Sequence, residues 1–134
     1  MILIKTYIAP SSIEGIGLFA NEDIKKGHIT WRYNPYFDRS FTEDEVNKMP
    51  QLMRKFINKY ASLSKQSGKY ILCNDDQRFI NHSRNANIGA LKEKGEEELV
   101  GVALRDIRKG EELTINYRAI DKNDEVSTEA YLNK

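Results

Sequence analysis

The sequence offers little with which to build a disulfide, a metal centre or a membrane span. Cys73 is its only cysteine, and His28 and His82 are its only histidines. An internal disulfide is therefore excluded, and no Cys/His cluster has metal-ligand spacing. A lone cysteine fits a reducing compartment, and Cys73 reads as a small buried apolar residue rather than a nucleophile. The opening MILIKTYIAP is too short and too polar for a transmembrane span or a signal peptide. The expected location is the cytoplasm. Charge of one sign is also missing, with 21 basic against 20 acidic residues and a net charge of +1. No bulk field directs the chain to nucleic acid or to an anionic membrane. The basic pairs Lys25–Lys26 and Arg108–Lys109 are too short to change this and read as solvated turn charges.

What is present suits one domain. The chain has 134 residues, of which 40% are hydrophobic, enough for a single packed core. One unit occurs twice, as LFANEDIKKGHITW over 18–31 and as VALRDIRKGEELTI over 102–115. Each copy reads as a short apolar strand, then Asp-Ile-basic-Lys-Gly, then a second strand. Gly27 and Gly110 suit a turn position with positive φ. The copies are too far apart for a solenoid period, so the reading is two similar β-units in one β-rich domain.

The helical part lies in the middle. Thr42 to Glu45 form a capping-box pattern, and Pro50 ends or restarts the helix. Leu52, Met53, Phe56, Ile57 and Tyr60 then share one helical face, a stripe expected to pack on the sheet. Ser64 to Lys69 is a polar loop, Tyr70 to Cys73 a strand, and Asn74 to Asp76 a turn. The tail from Asp121 to Lys134 has only Val126, Tyr131 and Leu132 as anchors and is expected to be loosely held.

Three stretches carry possible chemistry. Glu14-Gly15-Ile16-Gly17 places two glycines where backbone can approach a ligand, and a strand follows it, unlike the phosphate fingerprint that opens a helix. RFINHSRNAN, over 78–87, begins with Phe79 and Ile80 as the expected end of a buried strand. It then crowds Asn81, His82, Ser83, Arg84, Asn85 and Asn87 together, as a surface loop or as a polar pocket. A Ser–His hydrolase is a poor reading, because no orienting third group or strained nucleophile turn accompanies His82. GEELTINY, over 110–117, reads as an alternating strand ending in Tyr117.

GIGLFA, RFINHSRNAN and GEELTINY, in this order and with the IKKG and IRKG turns, resemble the SET-domain lysine methyltransferases. The resemblance runs from about Ile4 to Tyr117 and is nearest to the compact stand-alone SET proteins of bacteria and some viruses. It implies a mostly β fold of small sheets with a short central helical segment and a pseudoknot-like C-terminal crossing. The domain would span 1–120, with 121–134 as a tail that helps complete the lysine channel. The resemblance implies S-adenosylmethionine as cofactor, held through Gly15, Ile16 and Gly17 on one side and Asn81 and His82 on the other. It makes Tyr117 the catalytic tyrosine and a cofactor neighbour. Tyr33, Tyr36, Tyr60 and Tyr70 are the supply of channel aromatics, with Tyr70 the preferred one. The expected partner is a protein bearing a target lysine, histone or histone-like, in the cytoplasm or in a host cell if the source is viral. No metal, nucleic acid or membrane is expected. The family often has Pro where Ala86 stands and Asp where Asn116 stands, and many members add a cysteine-rich zinc segment that is absent here. Either Tyr131 or Leu132 folds back in its place, or the channel stays open and activity is weak. The alternative function is a catalytically weak or inactive SET-like binding module for a protein or small ligand.

Overall fold

The computed structural model describes the whole chain, Met1–Lys134. Ten strands run in sequence order: β1 (Thr6–Pro10), β2 (Ile16–Ala20), β3 (Ile29–Trp31), β4 (Arg39–Phe41), β5 (Ser62–Leu63), β6 (Tyr70–Leu72), β7 (Asn81–His82), β8 (Ile88–Leu91), β9 (Val100–Ala103) and β10 (Glu112–Ile115). Four short helices join them: α1 (Glu43–Asn47), α2 (Gln51–Tyr60), α3 (Tyr117–Ile120) and α4 (Lys122–Val126). Seven strands form one sheet in the order β1-β2-β10-β8-β9-β3, with β7 beside β10, and a second sheet has the order β4-β6-β5. The fold is mostly β, built of small sheets with few helices and no closed barrel.

The repeated unit explains how distant parts of the large sheet are held together. Its copies pair reciprocally across a local two-fold. Ile24 N–H donates to Ile107 O and Ile107 N–H to Ile24 O, both at 2.8 Å. Ala20 N–H meets Glu111 O and Ala103 N–H meets His28 O, both at 2.9 Å. Lys26 N–H donates to Asp106 Oδ1 and Lys109 N–H to Asp23 Oδ1, again both at 2.9 Å. Each bond has its counterpart 83 positions away, as the offset between Ile24 and Ile107 requires. Gly27 and Gly110 adopt φ of 86° and 93°, which a side chain rarely tolerates. The two isoleucines enter one core with Leu18, Ala20, Ile80, Ile88, Ala103, Leu113 and Ile115.

The central segment follows its local signals at both caps. Thr42 accepts from Glu45 N–H at 3.1 Å, and the Glu45 carboxylate accepts from Thr42 N–H at 3.0 Å. Pro50 is the N-cap of α2, where a missing N–H costs nothing. The stripe on α2 departs from expectation. Ile57 alone is buried, packing with Val46 and Leu72, whereas Leu52 and Met53 are 78% and 52% exposed. The second sheet has three short strands, too small a surface to cover a full helical face.

Two further expectations are corrected. Asp76–Phe79 is a turn of 3-10 helix, not a strand end, because Asp75 accepts from Gln77 N–H at 3.1 Å and winds the chain there. The tail is anchored rather than loose. Ala130–Asn133 forms another 3-10 turn, and its Leu132 is fully buried. Val126 is 80% exposed and anchors nothing.

Candidate active site

The three motif stretches meet where β10 changes partners. Its first half pairs antiparallel with β2, through Glu112↔Phe19 and Leu113↔Leu18. Its second half pairs parallel with β7, through Thr114↔Asn81 and Ile115↔His82. The starts of β2 and β7 therefore part beside the same strand, and the Asn81 side chain spans the join. Its Nδ2 donates to Glu14 O at 3.1 Å, to Ile16 O at 3.4 Å and to Glu112 Oε1 at 2.9 Å. No hydrogen bond within the chain ends on Asn81 Oδ1, so an acceptor is left at the glycine turn.

The turn itself mixes open and occupied space. Gly15 has φ +50°, and a Cβ there would meet nothing within 4 Å. Ile16 is 48% exposed. At Gly17 a Cβ would lie 2.3 Å from Glu112 Oε1, so the space above Gly17 belongs to a carboxylate of the chain. Ser11 Oγ also donates to Glu112, at 2.8 and 2.9 Å to the two oxygens. Glu112 thus ties Ser11, just after β1, to Asn81.

Successive residues of a strand point to opposite faces, and His82 accordingly turns inward from Asn81. It is 6% exposed. Tyr117 N–H can only donate, so Nδ1, at 3.0 Å, accepts. Nε2 then carries the proton and donates to Leu132 O at 3.1 Å. Both ring nitrogens are therefore committed within the chain.

Tyr117 does not end a strand. It opens α3, whose N-cap Asn116 accepts from Arg118 N–H at 3.1 Å. The Tyr117 hydroxyl donates to Ile80 O at 2.5 Å, and its ring lies 5.2 Å from that of His82. Burial, then the Tyr131 phenol and the carboxylates of Asp124 and Glu14, push the Tyr117 phenol well above the usual tyrosine range. It stays protonated at neutral pH and is a polar anchor, not a base.

Tyr117 also lines a cavity of about 480 Å³. Tyr60, Tyr70, Tyr117 and Tyr131 line it, as do Asp121 and Asp124, whereas Tyr33 and Tyr36 do not. Asp121 is spent on Leu63 N–H at 2.8 Å and Asn123 N–H at 2.7 Å. Asp124 accepts from Tyr131 at 3.1 Å. Burial and then Asp121 raise the Asp124 carboxyl, while burial and then Asp124 push the Tyr131 phenol to about 12. Cys73, also on the wall, has its thiol pushed to about 12 by burial and then by Asp38 and Asp75. It is no nucleophile at neutral pH. The Trp31 indole N–H on the same wall is buried and unpaired, a donor left for an occupant. Aromatic faces with carboxylates behind them suit a slender cationic side chain. No group of three His, Cys, Asp or Glu side chains is placed to hold a metal.

Sequence reasoning passed over Ser11, Glu112, Trp31 and the Asp121–Asp124 pair. Glu112 lies inside GEELTINY, but only its strand alternation was legible, since its partner Ser11 is 101 residues away.

A β-rich domain thus gathers the glycine turn, the Asn81 amide and His82 around β10, and Tyr117, held by His82 and Ile80, joins the wall of a cavity. The SET-domain family model matches residues 15–118, and the chain belongs to the SET-domain family. It is 32% identical over 120 residues to the histone-lysine N-methyltransferase, H3 lysine-36 specific, of Mycosarcoma maydis, covering 82% of this chain and 12% of that protein. It is 28% identical over 114 residues to human histone-lysine N-methyltransferase 2D, covering 84% of this chain and 2% of that protein. Among solved structures, a humanized mutant of the Chaetomium thermophilum Polycomb Repressive Complex 2 bound to the inhibitor GSK126 is similar. The TM-score is 0.64 at 28% identity, covering 85% of this chain and 15% of that one. The chain thus spans a small part of the curated relatives it matches.

Proposed function

We propose that this chain is an S-adenosylmethionine-dependent protein-lysine N-methyltransferase acting in the cytoplasm on a histone or histone-like protein. The observation that carries the reading is Tyr117, with its hydroxyl on Ile80 O and its side chain in the wall of the aromatic, acidic cavity. Gly15, Ile16 and Asn81 would hold the cofactor. The unpartnered Asn81 Oδ1 and the open space at Gly15 fit its ammonium group and its close approach to backbone. When bound, S-adenosylmethionine supplies an electrophilic methyl group on a sulfonium.

The chain's own contribution is placement, which in a displacement reaction can supply much of the rate. Tyr60, Tyr70 and Tyr131 line the path of a lysine side chain. Tyr131 comes from the tail, which takes the place of a zinc segment in finishing the channel. The Tyr117 proton is committed to Ile80 O, which leaves the oxygen's lone pairs as acceptors. They would accept an N–H of the incoming amine and orient it. The bound cofactor would supply the methyl group and keep the S–C electron pair on its sulfur, and the proton of the methylated ammonium would pass to water. A free lysine amine has a pKa of about 10.4, so the rate is expected to rise from about pH 7 to pH 9 as the neutral amine becomes available.

The test is transfer of labelled methyl from S-adenosylmethionine to histone and histone-like proteins. Tyr117→Phe is expected to lower turnover about 10²-fold, the order for one positioned polar group at a transition state. Cofactor affinity should stay near wild type. Wild-type turnover in that variant refutes the role of Tyr117. Cofactor binding without any transfer favours the binding-module alternative.

A further inference from the structure

Helix α2 presents an apolar face that the chain covers only in part. Leu52 is 78% exposed, Met53 52% and Phe56 43%. Leu52 and Phe56 stand four residues apart, with Lys55 and Lys59 three and seven residues beyond Leu52, on the same side of the helix. The stripe is therefore apolar and edged by cations.

Its charge is one-sided. From Val46 to Asn74 the chain holds six basic residues and no acidic one, although its totals are nearly balanced. Lys48, Arg54, Lys55 and Lys59 are all exposed, and none of the chain's ion pairs includes them. Arg78 adds a cation 5.7 Å from the Phe56 ring. Beside the stripe, Gln51, Arg54, Lys55 and Asn58 line a hollow of about 270 Å³.

An apolar patch rimmed by polar groups marks an interaction surface, and the rim selects the occupant. We propose that α2 is the docking site of a protein segment that sets acidic residues around apolar anchors. The anchors cover Leu52 and Phe56, and the carboxylates meet Lys55, Lys59 and Arg54. A nucleic acid would leave the leucine and phenylalanine in water. A bilayer surface would lie across the hollow without filling it. A peptide satisfies both parts of the surface. Asn58, Lys59 and Tyr60, at the end of α2, line the candidate active site, so a segment bound along the helix lies at the mouth of that cavity. A basic, histone-like segment is repelled by this face, and the docked segment is therefore not the one that enters the cavity.

The test selects random displayed peptides on the full chain and reads binding alone, without turnover. Enriched peptides are expected to combine Asp or Glu with Leu, Phe or Trp and to weaken with salt. Their affinity should fall about 10-fold or more, at least 1.4 kcal/mol, in the Leu52→Ser/Phe56→Ser variant and in the Lys55→Glu/Lys59→Glu variant. Lys55 and Lys59 are exposed, so the charge variant should melt with the wild type, whereas the serine variant loses the Phe56–Tyr60 contact and should melt somewhat lower while still folding. Enrichment of peptides without acidic residues overturns the proposal, as does enrichment no better than on the Leu52→Ser/Phe56→Ser chain. So does tighter binding of phosphatidylserine vesicles or duplex DNA through the same residues.

Discussion

His82 holds two separate parts of the molecule with two ring nitrogens, and the two can be cut one at a time. Nδ1 accepts from Tyr117 N–H at 3.0 Å, and Nε2–H donates to Leu132 O at 3.1 Å. His82→Ala strands both partners in a buried place, at about 1–3 kcal/mol each. The sum of about 2–6 kcal/mol is a large part of the roughly 5–15 kcal/mol that holds a domain folded. The conservative variants therefore carry the test. In His82→Asn the amide oxygen takes the place of Nδ1, keeping the Tyr117 bond and losing the tail. In His82→Gln the amide nitrogen takes the place of Nε2, keeping the tail and losing Tyr117. The tail rests on the buried Leu132 side chain, about 1.5–3 kcal/mol, and on this bond. Losing about 1–3 kcal/mol multiplies its open population roughly 5- to 150-fold. Hydrogen exchange read by mass spectrometry should show lost protection over 127–134 in His82→Asn and over 117–120 in His82→Gln. Wild-type protection of both segments in both variants, at reduced melting temperature, refutes the clamp.

Other outcomes follow from the same geometry. Gly17→Ala drives a Cβ into Glu112 Oε1 and should lower both melting temperature and S-adenosylmethionine affinity. In a Glu112→Ala background the added cost of Gly17→Ala should shrink, and strict additivity of the two in thermal melts sinks the explanation. Cys73, with its thiol pushed from 9.0 to about 12, should react with iodoacetamide at pH 7.5 about 10³-fold more slowly than in the unfolded chain, since the thiolate is the nucleophile. Equal rates would contradict its burial. Tyr131 at about 12, and Tyr117 above the usual range, keep protons that an unfolded tyrosine loses near pH 10. Their raised values stabilise the fold below about pH 10, and that contribution is lost as pH rises through the folded values. Absorbance titration should find two of the seven tyrosines ionising late, with stability falling above about pH 10. Simultaneous ionisation of all seven near pH 10 disproves the burial argument.

What was legible in the sequence was local chemistry. Thr42 and Glu45 form their capping box because the two groups lie within one turn, and Gly27 and Gly110 mark turns because positive φ excludes most side chains. The motif stretches came with a family resemblance, so Tyr117, Asn81 and the glycine turn could be named before their distances were known. Non-local facts were not legible. Periodicity states that Leu52, Met53 and Phe56 share a face, but not that the second sheet is too small to cover it. The apolar pair Phe79–Ile80 fits a strand end by composition, and it was the Asp75 side chain on Gln77 N–H that wound the segment instead. In the polar tail, one buried leucine and one histidine 50 residues away outweigh the composition that suggested looseness.

The repeat and the site are linked by the same strands. The first copy begins at Leu18, directly after the glycine turn, and the second ends at Ile115, two residues before Tyr117. Reciprocal pairing of the copies fixes β2 against the first half of β10. The second half of β10 is thereby left to β7, and β7 carries Asn81 and His82. A backbone ladder cannot continue across that change of partner, so side chains take it over, with Asn81 reaching Ile16 O and Asn87 reaching Glu112 O and Thr114 N–H at 2.8 and 2.9 Å. Small amides suit the task because each offers a donor and an acceptor on one short arm. The crowd of asparagines after Ile80 therefore has a structural cause besides any cofactor. Asn81 Oδ1 takes no part in this bridging, so Asn81→Asp, which keeps an acceptor there but loses the donor and sets a second carboxylate beside Glu112, should lower the melting temperature.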